Sequence, residues 1–352
     1  MEIHKDENRY SVEPGFKYAE YDGGIDLIGS GNRYLVRYDE KEERLKFEGD
    51  ESISCLQYHK SWLDILNGVS IKALYPNGLT YVDGNFFRVT LPSQMDGDIS
   101  ETKLGGALIP LNELTSVDLD EKDIGKVRSD EFGQNSIFHL IDQLKSVSDI
   151  GFSPDNCGPF YQYISNVDLI FCSDMGVENS DFVLSSIDKL VFVHVKCGNT
   201  ANPESAAGSI AEVGGQAIKN IEHIISHDFD LMPGNKTNLL SHWPTSNSNP
   251  FLQERIRLHK RQRFSNPSDN QDVRDGKIAQ LLEEIATRRR SSAVKKEIWI
   301  VVGNGFSKEH FVRQFNRGNR AAATSLQAYQ LLDSWMSTAA GLDVEIKFFV
   351  SP

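Results

Sequence analysis

The sequence predicts an α/β protein in two parts: a smaller β-rich domain, then a larger α/β domain. Three observations lead there. The chain has 352 residues, beyond the ~100–200 of a usual single domain. Its apolar pattern changes along its length, from short alternating runs between turn residues to longer apolar runs mixed with helical periodicity. Its charge is also uneven: the first part is acidic, as in Asp39-Glu40-Lys41-Glu42-Glu43 and Asp118-Leu119-Asp120-Glu121, whereas Arg255 to Lys296 is basic. On this reading residues 1–118 form the β-rich domain. Residues 119–352 form the α/β domain, with a basic insertion at about 227–295.

Composition narrows the class. Hydrophobic content of 39% and charged content of 25% are ordinary for a globular protein. The net charge of -13 argues against a general polyanion binder, because uniform negative charge repels nucleic acid. The four cysteines, Cys55, Cys157, Cys172 and Cys197, are scattered without Cys-x-x-Cys spacing. That fits reduced thiols in a cytoplasm better than a zinc site or disulfide framework. No signal-peptide pattern opens the chain, and no apolar run approaches the roughly 18 residues that would span a membrane.

In the first part, Arg33 to Tyr38 and Arg44 to Glu48 read as two arms of a hairpin, with the acidic run as their loop. Tyr58 to Leu66 reads as a short helix. Ser70 to Tyr75, Leu79 to Val82 and Phe86 to Leu91 read as strands separated by Pro76-Asn77-Gly78 and Asp83-Gly84-Asn85 turns. No cluster here points to chemistry, and a docking role is the default.

Leu104 to Lys126 is rich in Gly and Asp and reads as a link between the two parts. Ile137, Leu140, Ile141 and Leu144 stand at helical spacing. Three strands follow: Val167 to Cys172, Asp181 to Leu184, and Leu190 to Cys197, the last rich in β-branched and aromatic residues. Glu204 to Ile225 reads as a helix despite Gly214 and Gly215, each costing roughly 1 kcal/mol against Ala. Residues 227–275 read as a long excursion, and Lys277 to Arg290 as a helix ending in three arginines. Lys296 to Val302 is a buried strand ending at Gly303-Asn304-Gly305. That Gly-x-Gly lacks the third Gly and the acidic residue of a nucleotide site. Helices over Ser307 to Phe315 and Leu326 to Met336 and a strand over Val344 to Val350 close the chain.

The polar residues in the central strands carry the chemistry. His194 and Lys196 lie two apart on one strand and so share a face. A hairpin would bring Asp181 close to it. An Asp at the start of one strand and an x-x-Lys on the next is what a metal-dependent phosphodiesterase needs. The carboxylate holds a hard cation that also takes phosphate oxygens, and the Lys stabilises charge building on the phosphate.

On Asp174-Met175-Gly176-Val177-Glu178-Asn179-Ser180-Asp181, Phe192-Val193-His194-Val195-Lys196 and Gly215-Gln216-Ala217-Ile218-Lys219-Asn220, the chain resembles the PD-(D/E)xK, or restriction-endonuclease-like, nuclease superfamily. More narrowly it resembles nuclease-like regions found with helicases in bacterial anti-phage and restriction systems. The resemblance covers about residues 130–350 and implies an α-β-β-β-α-β core with additions. It implies Asp181 as a metal-binding Asp, Lys196 as the catalytic Lys and Gln216 as the helix residue after the core. Mg²⁺ or Mn²⁺ would be the cofactor, DNA the substrate, and a helicase or other defence-system subunit the partner.

His194 departs from the pattern, which has Glu or Asp there. As a third ligand it would favour Mn²⁺ over Mg²⁺, and Glu178 could supply the missing carboxylate. Arg288, Arg289, Arg290, Lys260 and Arg261 are the candidate phosphate contacts. The competing reading is a catalytically weakened module of the same fold that binds nucleic acid or a helicase.

Overall fold

Alternating runs in the first ninety residues fold as strand ladders. The computed structural model describes residues 3–6, 9–12, 16–21, 24–27, 32–42, 44–51, 54–55, 60–68, 72–74, 79–82, 85–88, 99, 102–127, 130–174, 179–198, 200–226, 255–264 and 271–352. It divides into two compact units, Met1–Thr90 and Leu91–Pro352. In the first unit β1 (Ile3–Asp6), β2 (Arg9–Val12), β3 (Phe16–Tyr21), β4 (Gly24–Leu27), β5 (Asn32–Asp39) and β6 (Arg44–Glu48) pair in sequence order as a six-stranded antiparallel meander. The expected hairpin is β5 with β6, in the register Tyr38↔Leu45. Its acidic loop is an Asx turn: the Asp39 carboxylate accepts the Lys41 and Glu42 backbone N–H groups at 2.9 and 3.2 Å.

The short pair β7 (Ser54–Cys55) and β8 (Lys60–Ser61) precedes α1 (Trp62–Asn67). This helix starts later than the sequence predicts, because Ser61 caps it by accepting the Asp64 N–H at 3.0 Å. The three expected strands, as β9 (Lys72–Leu74), β10 (Leu79–Val82) and β11 (Asn85–Arg88), pair as a three-stranded antiparallel sheet.

The second unit is a seven-stranded mixed sheet flanked by helices. Its elements in order are α2 (Lys103–Ala107), β12 (Leu108–Pro110), α3 (Ile137–Asp142), β13 (Leu169–Cys172), β14 (Phe182–Ser185) and β15 (Lys189–Gly198). They continue with α4 (Gly208–Lys219), α5 (Ile221–Ile225), β16 (Ile256–His259), α6 (Gln271–Arg290), β17 (Lys295–Gly303), α7 (Lys308–Phe315), α8 (Ala323–Ala340) and β18 (Val344–Val350). The strand order is β12-β18-β17-β15-β14-β13-β16. The meander β13–β14–β15 is antiparallel, with Phe182 opposite Val193. β17 then lies parallel to β15 and β18 parallel to β17, as crossovers through helices require.

The strands read as near-continuous apolar runs because both faces are covered. On one face Val191, Val193 and Val195 join Phe138 and Ile141 of α3 in a buried cluster. On the other, α4 and α8 pack together against the sheet. Gly214 is required there, since a Cβ at that position would lie 2.2 Å from the Trp335 ring. The glycine pair that weakens the helix in isolation is what lets it dock.

Two expectations about organisation change. The Gly-containing segment read as a link forms α2 and the edge strand β12, and the division into units falls at Thr90/Leu91 rather than at 118. Leu104, Ala107 and Leu108 are buried, and this tertiary gain outweighs the low helix propensity of Gly105 and Gly106. The basic insertion is also not a simple excursion. Its described parts form β16, which pairs with β13, and the long helix α6, while residues 227–254 and 265–270 lie outside the described residues.

Candidate active site

Asp181 sits immediately before β14, where its ladder with β15 begins. The Ser173 N–H donates to the Asp181 carbonyl at 2.8 Å and Ser173 Oγ donates to the Ser180 carbonyl at 2.6 Å, closing the β13–β14 loop at its base. Across the ladder, the Asp181 N–H donates to the Val193 carbonyl at 2.9 Å, and Asp181 Oδ2 accepts the Val195 N–H at 2.8 Å. The side chain therefore replaces a backbone acceptor and is fixed at the strand end. Lys196, on β15, places Nζ 3.2 Å from Glu212 Oε1 on α4, and its side chain is 42% exposed. Gln216 stands four residues on from Glu212, on the same helix face, and is half-buried.

A second segment closes on these residues. The Asp120 N–H donates to the Asn135 carbonyl at 2.8 Å, while the carbonyls of Asp120 and Glu121 accept the first N–H groups of α3, from Ile137 and Phe138, at 3.0 and 3.2 Å. These bonds carry Glu121 and Lys122 against Asp174, whose carbonyl is held by Arg255 Nη1 at 2.6 Å. Lys122 Nζ then lies 2.9 Å from Asp174 Oδ2 and 3.5 Å from Glu121 Oε1.

The electrostatics follow from crowding. Burial and then the Asp174 charge push the Asp181 carboxyl well above the usual carboxylate range, against the pull of Lys122 and the Val195 N–H. Burial also raises Glu121, more than Lys122 and Lys196 lower it. Burial alone would lower Lys122, but Asp174, Asp181 and Glu121 hold it above the ordinary lysine range. The sequence reading singled out Asp181 and Lys196 but not Glu121, Lys122 and Glu212, which the fold brings to the same candidate site. Their contacts depend on tertiary closure, and the acidic run ending at Glu121 was the single hint.

The remaining expected site residues fare differently. His194 is 3% exposed and burial pushes its pKa down to about 3, so the imidazole is neutral. Its Nε2 has no hydrogen-bond partner among the described residues. Glu178 lies outside the described residues. Among the described residues no three His, Cys, Asp or Glu side chains are spaced to hold a metal ion. Asp174, Asp181 and Glu121 offer oxygen donors of the kind a hard cation such as Mg²⁺ or Mn²⁺ takes, but they are not spaced as a ready metal site.

Three of the expected phosphate contacts remain on the surface and two do not. Arg288 forms a bidentate pair with Asp168, at 2.6 and 2.7 Å, and Arg289 is 5% exposed. Arg290, Lys260 and Arg261 are exposed, the last two in a left-handed turn after β16 at φ 52° and 59°. Arg257 is buried and binds Asp142 at 2.7 and 2.9 Å. Arg257 thus neutralises an interior carboxylate, and Arg288 one beside β13. The Gly303 turn needs no ligand to explain it either: φ is 61°, and a Cβ would lie 2.8 Å from Cys197 Sγ.

Compared with known proteins, the chain matches no family model, no curated protein and no solved structure.

Proposed function

We propose that the second unit is a metal-dependent phosphodiesterase acting on DNA, built on the α-β-β-β-α-β core of the restriction-endonuclease-like nucleases, in a bacterial defence system. One observation carries the reading. Asp181 and Lys196 come from adjacent strands of an antiparallel meander, at the end where Asp174 and Glu121 also converge. The order α3, β13, β14, β15, α4, β17, with β17 parallel to β15, supports the same core.

In this reading Asp181 and Asp174, with Glu121, would hold the Mg²⁺ or Mn²⁺, which when bound supplies charge neutralisation at the phosphate. Lys196 directs its ammonium at the phosphate oxygens, where negative charge builds in the transition state. Glu212 orients that ammonium and supplies the carboxylate that the buried, neutral His194 does not. Gln216, on the Glu212 face of α4, would hydrogen-bond the substrate backbone. Lys260, Arg261 and Arg290 would meet the flanking phosphates.

The test is cleavage of plasmid and linear DNA by the purified chain with Mg²⁺, Mn²⁺ or EDTA, against Lys196→Ala. Metal-dependent cleavage lost in the variant supports the reading, and equal cleavage by both sinks it. Specific observations favour a second reading, a non-catalytic module that binds nucleic acid or a helicase. The Asp181 carboxylate is engaged by Val195, Lys196 is paired with Glu212, and the position of the second acidic residue holds a buried imidazole. DNA or helicase binding without cleavage in any metal would select it.

A further inference from the structure

We infer that the cavity where β17 and β18 begin is a binding site for a small phosphate-bearing molecule, one with two or more negative charges and a non-aromatic body. The site lies at the opposite end of the sheet from Lys196. Five residues of β17 separate Lys296 from Val301, the partner of Val195, or about 17 Å of strand. The inference therefore stands apart from the nuclease reading.

The fold leaves this space open. β12 pairs with β18 only from Phe348 onward, and the chain before it turns away as α2. Among the described residues, the edge of β18 from Val344 to Lys347 has no strand partner on the β12 side. The resulting cavity, of about 640 Å³, is within the ~300–1,000 Å³ typical of small-molecule sites. Ala107 of α2, Met336 and Ala340 of α8 and Ile346 give it an apolar wall.

Its charge selects the ligand. Lys103, Lys295, Lys296 and Lys347 line the cavity against Asp343 and Glu345, two positive charges in excess in a chain of net charge -13. The carboxylate behind the wall does not absorb that excess. Glu297 is fully buried, accepts the Trp299 Nε1–H at 2.9 Å, and lies 3.2 Å from Lys189 Nζ and 2.5 Å from Lys347 Nζ. Lys189, Lys295 and Lys347 thus share Glu297 and Glu345, three ammoniums for two carboxylates. Lys296 Nζ donates to the carbonyls of Ser291 and Val294, the latter at 2.7 Å, while Lys103 is exposed. Neither has a carboxylate within ion-pair reach among the described residues. Burial lowers the Lys296 ammonium below the ordinary lysine range, more than Asp343 raises it. An anion seated in the cavity supplies the counter-charge that Lys296 lacks.

The lining also narrows the class. An ammonium is a point charge on a flexible stem and can meet a tetrahedral phosphate from several sides, whereas the arginine fork matches a planar carboxylate. No arginine and no aromatic side chain lines the cavity among the described residues, so a nucleobase has no stacking platform there. A phosphorylated sugar or a short polyphosphate fits, and the terminal phosphate of a nucleic-acid strand carries the same chemistry.

The experiment is titration of the full chain with inorganic pyrophosphate by calorimetry, in EDTA so that no metal bridges the two, with melting curves alongside. Wild type should bind and melt higher with pyrophosphate. Lys103→Glu reverses an exposed charge at the cavity, and Ala340→Glu places a carboxylate at an exposed helix position on its wall, so both should fold. Each should weaken binding about tenfold or more. Lys126→Glu, at a lysine outside the cavity with a 67% exposed side chain, should bind as wild type does. Lys296→Gln should also weaken binding, and if it fails to fold the two surface variants decide.

No binding to wild type, or equal binding by wild type and Ala340→Glu, overturns the inference. So does loss of binding in Lys196→Ala, which would put the anion at the candidate active site instead. A 5′-phosphorylated oligonucleotide that displaces pyrophosphate upholds the site and gives its phosphate as a strand end. An oligonucleotide that leaves pyrophosphate bound upholds it as a site for a free phosphate compound.

Discussion

Two buried ionic clusters on the same sheet use the same side-chain types to opposite ends. At the outer edge, Asp142 of α3 is 1% exposed and meets two cations, Arg257 on β16 at 2.7 and 2.9 Å and Lys145 at 2.5 Å. Burial alone would raise its carboxyl, but Arg257 and Lys145 outweigh burial and hold it below the usual range. At the end of β13 and β14, Lys122 pairs with Asp174 and Glu121, while Asp181 beside them is pushed upward by burial and by the Asp174 charge. One cluster has more cation than it needs and reads as structure. In the other, burial of Asp181 outweighs the pull of Lys122, and strongly shifted carboxyls of this kind collect at functional sites.

The largest expected effect tests the first half of that contrast. Asp142→Ala removes the carboxylate that Arg257 and Lys145 share and leaves two buried cations without it, so it should cost about 3–5 kcal/mol in denaturant unfolding. A loss under about 1 kcal/mol would mean that the cluster relaxes into solvent and is no more structural than its counterpart.

Lys196→Ala tests the second half. With its side chain 42% exposed, its removal should leave the melting temperature nearly unchanged. Cleavage should fall about 10²–10³-fold, the usual loss for one donor to a developing charge. If stability falls and cleavage, measured on the folded fraction, does not, the Lys196–Glu212 pair is a strut and the two clusters are alike after all.

The third prediction uses pH. Asp142 has a lowered folded pKa, so the stability it contributes is present above the unfolded value of about 3.9 and is lost as pH falls through the folded one. Asp181 has a raised folded pKa, so it favours the folded state only while protonated. That contribution fades as pH rises from about 3.9 through the folded value. Asp181→Asn keeps an acceptor for the Val195 N–H and removes the charge, so it should be more stable than wild type at neutral pH. The gain is about 1.4 kcal/mol for each unit of raised pKa. Unfolding curves from pH 4 to 8 should converge at the acid end, and a variant less stable throughout would contradict the raised Asp181.

What the sequence reveals of this contrast is partial, for physical reasons. The meander from Leu169 to Gly198 was legible because β-branched runs and turn residues are local signals, and Asp181 and Lys196 because strand periodicity placed them. The edge strands β12 and β16, three and four residues long, acquire their identity from partners distant in the chain. Likewise Glu121, Lys122 and Glu212 join the site through closure of α3 and α4 on the sheet, which no window of sequence contains. The arginines misled because a basic run looks the same whether it faces phosphate or, as with Arg257 and Arg288, an interior or strand-end carboxylate.

The smallest effect separates those arginines. Arg288 is bidentate to Asp168 beside β13, and its side chain is 13% exposed, whereas Arg290 at the end of α6 is exposed. A phosphate can recruit Arg290 at no cost to the fold, but recruiting Arg288 means breaking a charge-assisted pair. Arg290→Gln should therefore reduce the slope of log affinity for DNA against log salt by about 0.9, one phosphate contact, with little change in stability. Arg288→Gln should leave that slope alone and instead destabilise the second unit by about 1–3 kcal/mol, since the Asp168 carboxylate loses a charge-assisted pair. The opposite pattern would assign Arg288 to the nucleic acid. If neither variant changed the slope, the α6 terminus would lie outside the DNA path, leaving Lys260 and Arg261 as the remaining expected contacts.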